Sequence, residues 1–349
     1  MRRISVILTE CLIALLLSMT GDHQCVAEIT PGQTAPGFSL KDTGGKAYDL
    51  SSMTTHPMAI LYFFDADSRP SQEGLLSLDK LIKRFKGQEL VVWGVTTSAR
   101  ESTVRFVSQT NPVFPVLLDP GNVSDHYAAR TILPTICILG PDRKIIDYFQ
   151  GGGKTSEIML VRLAERTLQQ KQTLVAKAIS DTVIEKNPEN INAKTVKGYA
   201  EMKEGNLANA EKIFQNVSTG KGEGEILGKE GLSAVYAKKG DTQKALRIAQ
   251  EVEQMAPERS YAHLVKADIL YSQKKNSEAE AEYGKASAKK EGEIYQKAVA
   301  LNQFGRFQAN LGKFDKARSL YDQAVSVDPY YVEATSKRPD LLPSSSEPR

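Results

Sequence analysis

Cysteine, histidine and tryptophan are scarce in this chain, with 3, 4 and 1 copies among 349 residues. The cysteines are Cys11, Cys25 and Cys137, too few and too scattered for a disulfide-stapled scaffold, so the folded parts must rest on core burial. There is no Cys-x-x-Cys-His run and no His/Cys cluster at metal-ligand spacing, so neither a metal nor any other cofactor is expected. One-signed charge is missing as well: 45 Lys plus Arg against 42 Asp plus Glu leaves a net +3. No electrostatic footprint for nucleic acid or an anionic membrane surface follows from that balance. The apolar run near the N-terminus falls short of the roughly 20 residues that a spanning helix requires.

That run follows Met1-Arg2-Arg3, ends in Ile13-Ala14-Leu15-Leu16-Leu17, and precedes Cys25-Val26-Ala27. Small residues at the first and third of these last positions suit cleavage before Glu28, so residues 1–27 read as a signal peptide. Retention as an uncleaved anchor is the alternative. Cleavage implies an exported protein, in a bacterium a periplasmic one, with no integral membrane segment afterwards. Asp22-His23-Gln24 do not form a lipoprotein signal before Cys25. The mature chain then keeps Cys137 alone, inside the apolar run Thr135-Ile136-Cys137-Ile138-Leu139, where a buried, inert thiol is expected.

From residue 30 to 169, strand-like and helix-period segments alternate. Ala59 to Phe64, Leu90 to Val95, Thr135 to Leu139 and Lys144 to Phe149 read as strands. Leu75, Leu78, Ile82 and Phe85 mark one helix face, and further helices are expected at Ser102 to Gln109 and Ser156 to Gln169. Gly140-Pro141-Asp142-Arg143 is a turn joining the last two strands into a hairpin. The expected result is an α/β unit, a mixed sheet flanked by helices.

Local motifs in this half form an ordered set: Pro36-Gly37-Phe38-Ser39-Leu40, Gly44-Gly45-Lys46, Phe63-Phe64-Asp65-Ala66, Leu118-Asp119-Pro120 and Leu133-Pro134-Thr135. Together they resemble TlpA-type and alkyl hydroperoxide reductase (AhpC/TSA)-type redoxins, which implies a thioredoxin-like fold. The resemblance also implies a Cys-x-x-Cys after the first core strand and a cis-proline, here Pro134, facing it. This chain reads Ser68-Arg69-Pro70-Ser71 at that place. Thiol-disulfide exchange and peroxide reduction both begin with a thiolate, which a hydroxyl cannot replace. The active site therefore reads as degenerate, with no catalytic residue expected at Ser68 or Ser71. A hydrolytic role for Ser68 lacks a general base in a recognisable context; an N-cap role for the α-helix that follows is expected instead. Leu133 and Pro134 are candidates for holding an extended peptide, against the plainer reading of a proline that fixes a tight turn.

Residues 171–337 carry a repeat. Ala210, Ala245, Ala279 and Ala317 are spaced by 35, 34 and 38. Around them fall Gly198 and Gly305, Tyr236, the turn glycines Gly205, Gly240 and Gly312, the aromatics Phe214, Tyr283 and Tyr321, and the exit prolines Pro257 and Pro329. This resembles the tetratricopeptide (TPR) pattern over four repeats. Leu174 to Lys186, with Ala176 standing 12 residues before Pro188, reads as the second helix of an incomplete earlier repeat. Residues 338–349 read as a disordered tail. The resemblance implies an all-α superhelix whose concave face, carrying Tyr199, Met202, Tyr261, Leu264, Tyr271, Asn302 and Arg306, takes a peptide or a partner helix. The joint expectation is an exported protein-binding or assembly factor. The alternative is a thiol-disulfide oxidoreductase or peroxiredoxin-like antioxidant enzyme, which would need Cys137 exposed or thiols from a partner.

Overall fold

The computed structural model describes residues 29–55, 58–85, 90–140, 143–289 and 294–328. The expected signal peptide 1–27, the tail 338–349, His56, the Pro141-Asp142 part of the hairpin turn and Pro329 lie outside the described residues. The first half is the expected thioredoxin-like α/β unit. In chain order it runs β1 (Ser39–Asp42), β2 (Ala47–Asp49), a 3-10 turn (Leu50–Thr55), β3 (Ala59–Phe63), α1 (Arg69–Phe85) and β4 (Val91–Thr96). There follow α2 (Arg100–Thr110), β5 (Val116–Leu118), α3 (Val123–His126), β6 (Thr135–Leu139), β7 (Ile145–Gln150) and α4 (Lys154–Gln169).

The strands form one sheet in the order β2-β1-β5-β4-β3-β6-β7. β3 lies parallel to β4 and antiparallel to β6, with Leu61 paired to both Trp93 and Cys137. Every β3 side chain is buried, because both faces of this central strand are covered. Alternation divides them: Ile60 and Tyr62 join Leu75 and Leu78 of α1 and Met159 and Leu163 of α4 on one side. Leu61 and Phe63 join Trp93, Tyr127 and Cys137 on the other.

Beyond α4 every element among the described residues is a helix: α5 (Thr173–Lys186), α6 (Ile191–Lys203), α7 (Leu207–Ser218), α8 (Glu223–Lys239), α9 (Thr242–Met255), α10 (Tyr261–Ser272), α11 (Asn276–Ala288), α12 (Ile294–Asn310) and α13 (Phe314–Val327). The register alanines Ala210, Ala245, Ala279 and Ala317 are each 0% exposed, since each sits where two helices close on one another. Gly198 and Gly305 serve the same approach. A Cβ on Gly198 would stand 2.6 Å from Phe214 Cζ, and one on Gly305 2.7 Å from Tyr321 Cε1. The turn glycines Gly205, Gly240 and Gly312 have φ of 86°, 84° and 74°, the left-handed region where glycine carries no steric penalty.

The structure departs from the expected incomplete first repeat. Its missing helix is α4, the last helix of the α/β unit, which packs on α5 as α6 packs on α7. Three separate series show the register. Ala164-Gly198-Ser233-Ala267-Gly305 lie where first helices meet second helices, and Lys171-Gly205-Gly240-Lys274-Gly312 are the left-handed turn residues. Ala176-Ala210-Ala245-Ala279-Ala317 form the third series, and all three step by 34, 35, 34 and 38. One apolar cluster accordingly runs without a break from Met58 and Leu75 through Leu163 and Ile179 to Ala200. α4 thus serves two cores at once, and no free linker separates them.

Candidate functional site

The loop after β3 delivers Ser68 and Ser71 to the start of α1. Its shape is set by Asp65, whose Oδ1 accepts from Asp67 N (2.9 Å) and from Ser98 Oγ (3.0 Å). Gln72 Nε2 donates to Ala66 O across the same loop at 2.5 Å. Ser68 is partly exposed, and its carbonyl accepts from Gln72 N at 3.0 Å. Its hydroxyl makes no capping bond among the described residues, contrary to the expected N-cap role. Pro70 lacks an N–H, which removes one of the two donors that a capping oxygen normally takes.

Ser71 is 0% exposed, and its Oγ has no hydrogen-bond partner among the described residues. Below it the buried Tyr62 hydroxyl donates to Ser71 O at 3.1 Å. That hydroxyl also occupies the space beside Gly74, where a Cβ would stand 2.1 Å from it. Burial holds the Tyr62 phenol far above its ordinary range, so it remains a neutral donor.

The Leu133–Pro134 bond is cis, with Leu133 half-buried and Pro134 buried. Gly151 N donates to Pro134 O at 2.8 Å. A Cβ on Gly152 would stand 3.0 Å from Pro70 Cβ and 3.5 Å from Pro134 Cδ. The bare glycine therefore lets the β7–α4 loop lie against both prolines and brings the α1 start and the Pro134 turn together. Cys137 is not part of this place. It is 0% exposed on the opposite side of the sheet from α1, and burial, then the charge of Asp147, push its thiol up. Of the described histidines, His126 ends α3 on the surface, and His263 is buried in α10 with Nδ1 2.7 Å from Glu282. Neither is bonded to Ser68 or Ser71.

The repeat residues form a second candidate. The first helices of successive hairpins, α4, α6, α8, α10 and α12, touch one another in order and make the inner layer of the array. Tyr199 and Tyr261 are brought together, ring centroids 5.9 Å apart, by reaching over α8. Tyr199 also meets Phe214 edge-on at 5.0 Å. Burial, with Tyr261 and Glu230 alongside, holds the Tyr199 phenol well above its ordinary range. Tyr271 sits apart from this pair and packs edge-on against Phe307 at 5.2 Å. Asn302 is fully buried and Arg306 is exposed.

Sequence reasoning did not find the ion pair beneath the two tyrosines. Glu230 of α8 takes Arg259, which precedes α10, through Nε at 2.7 Å and Nη2 at 3.0 Å. This two-point pair is nearly dry, with the Glu230 side chain 3% exposed. Its members lie 29 residues apart in the chain, so only the repeat register could have suggested the meeting.

Residues 31–148 match the AhpC/TSA family, and residues 232–293 and 298–331 match tetratricopeptide repeats. Among curated proteins, the chain is 31% identical over 97 residues to the chloroplastic peroxiredoxin Q of Sedum lineare, covering 28% of this chain and 52% of that one. It is 29% identical over 125 residues to the thiol-disulfide oxidoreductase ResA of Bacillus subtilis (strain 168), covering 35% and 69%. The chain thus spans about half the length of the peroxiredoxin Q relative, at 52%. Among solved structures, peroxidoxin BcpB from Mycobacterium tuberculosis aligns with a TM-score of 0.33 at 21% identity, covering 36% of this chain and 87% of that one. A thermophilic TPR protein of Thermus thermophilus, TTC0263, aligns at 0.43 and 17%, covering 53% and 98%. Among the described residues no helix is long and apolar enough to cross a membrane.

Proposed function

Because this chain joins a redoxin domain of the AhpC/TSA type to tetratricopeptide repeats, we propose that it is an exported protein-binding or assembly factor of the bacterial envelope whose redoxin domain carries out no thiol chemistry. One observation carries the reading: serines, not cysteines, stand at the start of α1 beside Pro134. A thiol near pKa about 8.5 can be brought to the thiolate by a helix N-terminus, and a hydroxyl cannot do the same work or form a disulfide. The redoxin domain then acts as a rigid first element of the array, through the shared α4. Partner contact falls to the inner layer, with the half-buried Tyr199, Tyr261 and Tyr271 and the exposed Arg306 as its candidates, while the fifth expected residue, Asn302, is fully buried and closed to a partner; a protein segment presenting apolar or aromatic side chains is the matching ligand.

The second reading is a thiol-disulfide oxidoreductase or peroxidase, the activities that the relatives' names state for those proteins. It would need Cys137 to reach solvent or a partner to supply thiols. Retention of proteins from an envelope extract by immobilised full chain, compared with a Tyr199→Ala/Tyr261→Ala variant, tests the proposal. Partners retained by the wild type and lost by the variant support it; insulin or peroxide turnover that vanishes in Cys137→Ser moves the assignment to the enzyme.

A further inference from the structure

The last described residue of the array returns to α4, the helix that closes the redoxin domain. Arg166, in the final turn of α4, has only 10% of its side chain exposed and lies between two carboxylates. Its Nη1 is 2.5 Å from Asp328 Oδ2, and its Nε is 3.4 Å from Asp147 Oδ2 on β7. Asp328 immediately follows α13, is 3% exposed, and is 162 residues from Arg166 in sequence. The chain therefore closes a loop from the redoxin domain through every hairpin back to the redoxin domain. The inner-face candidates are themselves largely covered by the hairpins beside them. Of the seven inner-face candidates, Met202, Leu264 and Asn302 are 8%, 3% and 0% exposed, Tyr199, Tyr261 and Tyr271 are half-buried, and Arg306 alone is exposed.

We propose that the Arg166–Asp328 contact is a latch that holds the array coiled over its own inner face, and that a protein partner reaches this face only when the latch opens. The proposal rests on the inner face being the partner surface. The arrangement suits a contact that opens and recloses. A buried charge left alone is strongly unfavourable, yet when Asp328 withdraws the guanidinium keeps Asp147 beside it. Asp328 lies just outside the helix, its backbone extended at φ −136° and ψ 95°, so a small swing of α13 carries its carboxylate into water. A partner that binds only the open form shifts the population towards it by its preference for that form.

Small-angle scattering of the purified full chain, without any partner, tests the latch. Asp328→Asn and Arg166→Gln attack the contact from its two ends, while Asp147→Asn leaves it in place. We expect the first two to raise the radius of gyration by several ångström with helical circular dichroism unchanged, and Asp147→Asn to match the wild type. Should Arg166→Gln unfold because Asp147 and Asp328 are left facing each other, Asp328→Asn still reads the contact. Folded Asp328→Asn with the wild-type scattering profile overturns the latch, whatever the chain binds. An opened Asp328→Asn that retains no more envelope protein than the wild type leaves the latch standing and removes the inner face as the partner surface.

Discussion

A methyl group added to Gly228 would test how closely the hairpins are packed. Gly228 lies inside α8, and its Cβ would stand 2.3 Å from Ser218 N and 2.5 Å from Ser218 Cα at the end of α7. These are backbone atoms of a neighbouring helix and cannot rotate away. Replacing a mid-helix glycine by alanine gains about 1 kcal/mol in an unobstructed helix. Overpacking costs about 1–3 kcal/mol and belongs at the upper end where backbone must move. Gly228→Ala should therefore lose about 2 kcal/mol net. Gly284 of α11 is the control, because nothing lies within 4 Å of its Cβ position; Gly284→Ala should gain about 0.5–1 kcal/mol. At roughly 2–4 °C per kcal/mol for a chain segment of this size, thermal unfolding followed by circular dichroism should move the two midpoints in opposite directions. A Gly228→Ala midpoint at or above the wild type would refute the close approach of α7 and α8, and with it the tight coil of the array.

Other outcomes follow from the same structure. Ser68→Cys with Ser71→Cys should give a dithiol that oxidises to an internal disulfide, read as loss of both new free thiols; a folded double variant that keeps them would mean that the α1 start does not correspond to the redox turn. The unaltered protein should neither reduce insulin disulfides nor consume peroxide, and activity above a protein-free control would count against the binding reading. Glu280 of α11 is held at about 2, below its usual 4.5, by hydrogen bonds from Lys316 and Lys313. Its contribution is complete above pH 4.5 and is lost as pH falls towards 2, and with both lysines about half-exposed it stays below about 1 kcal/mol. Between pH 5.5 and pH 3, Glu280→Gln should thus lose less stability than the wild type, and an equal loss in the two would show that the pair contributes nothing.

Much of this fold is legible in sequence, for reasons that differ by element. β3 and β6 declare themselves as uninterrupted apolar runs because both sheet faces are covered. β1, β2 and β5 have only 4, 3 and 3 residues, too few for alternation to stand out. The repeats are readable because a helix–helix contact tolerates only small side chains, which leaves Ala210, Ala245, Ala279 and Ala317 at regular spacing. The same rule reaches back to Ala164, but α4 also reads as the closing helix of a redoxin, and one assignment concealed the other. At the α1 start the motif located Ser68 and Ser71, while the role of Asp65 in shaping the loop depends on Ser98, which is 33 residues away. Inner-face residues are assignable to helices from the period alone; how far the array coils is not, since that depends on Gly228 and the meeting of Arg166 with Asp328.

The central claim is that partner contact belongs to the inner face of the array and not to the serine turn of the redoxin domain. Retention of envelope proteins by the full chain, measured side by side for Tyr199→Ala/Tyr261→Ala and for Ser68→Ala/Ser71→Ala with both variants folded, tests it most directly. An anchoring aromatic costs more than about 2 kcal/mol when truncated, so the tyrosine variant should lose the partner at least about thirtyfold in affinity and the serine variant should keep it. Loss of the partner in the serine variant, with full retention in the tyrosine variant, would contradict the account.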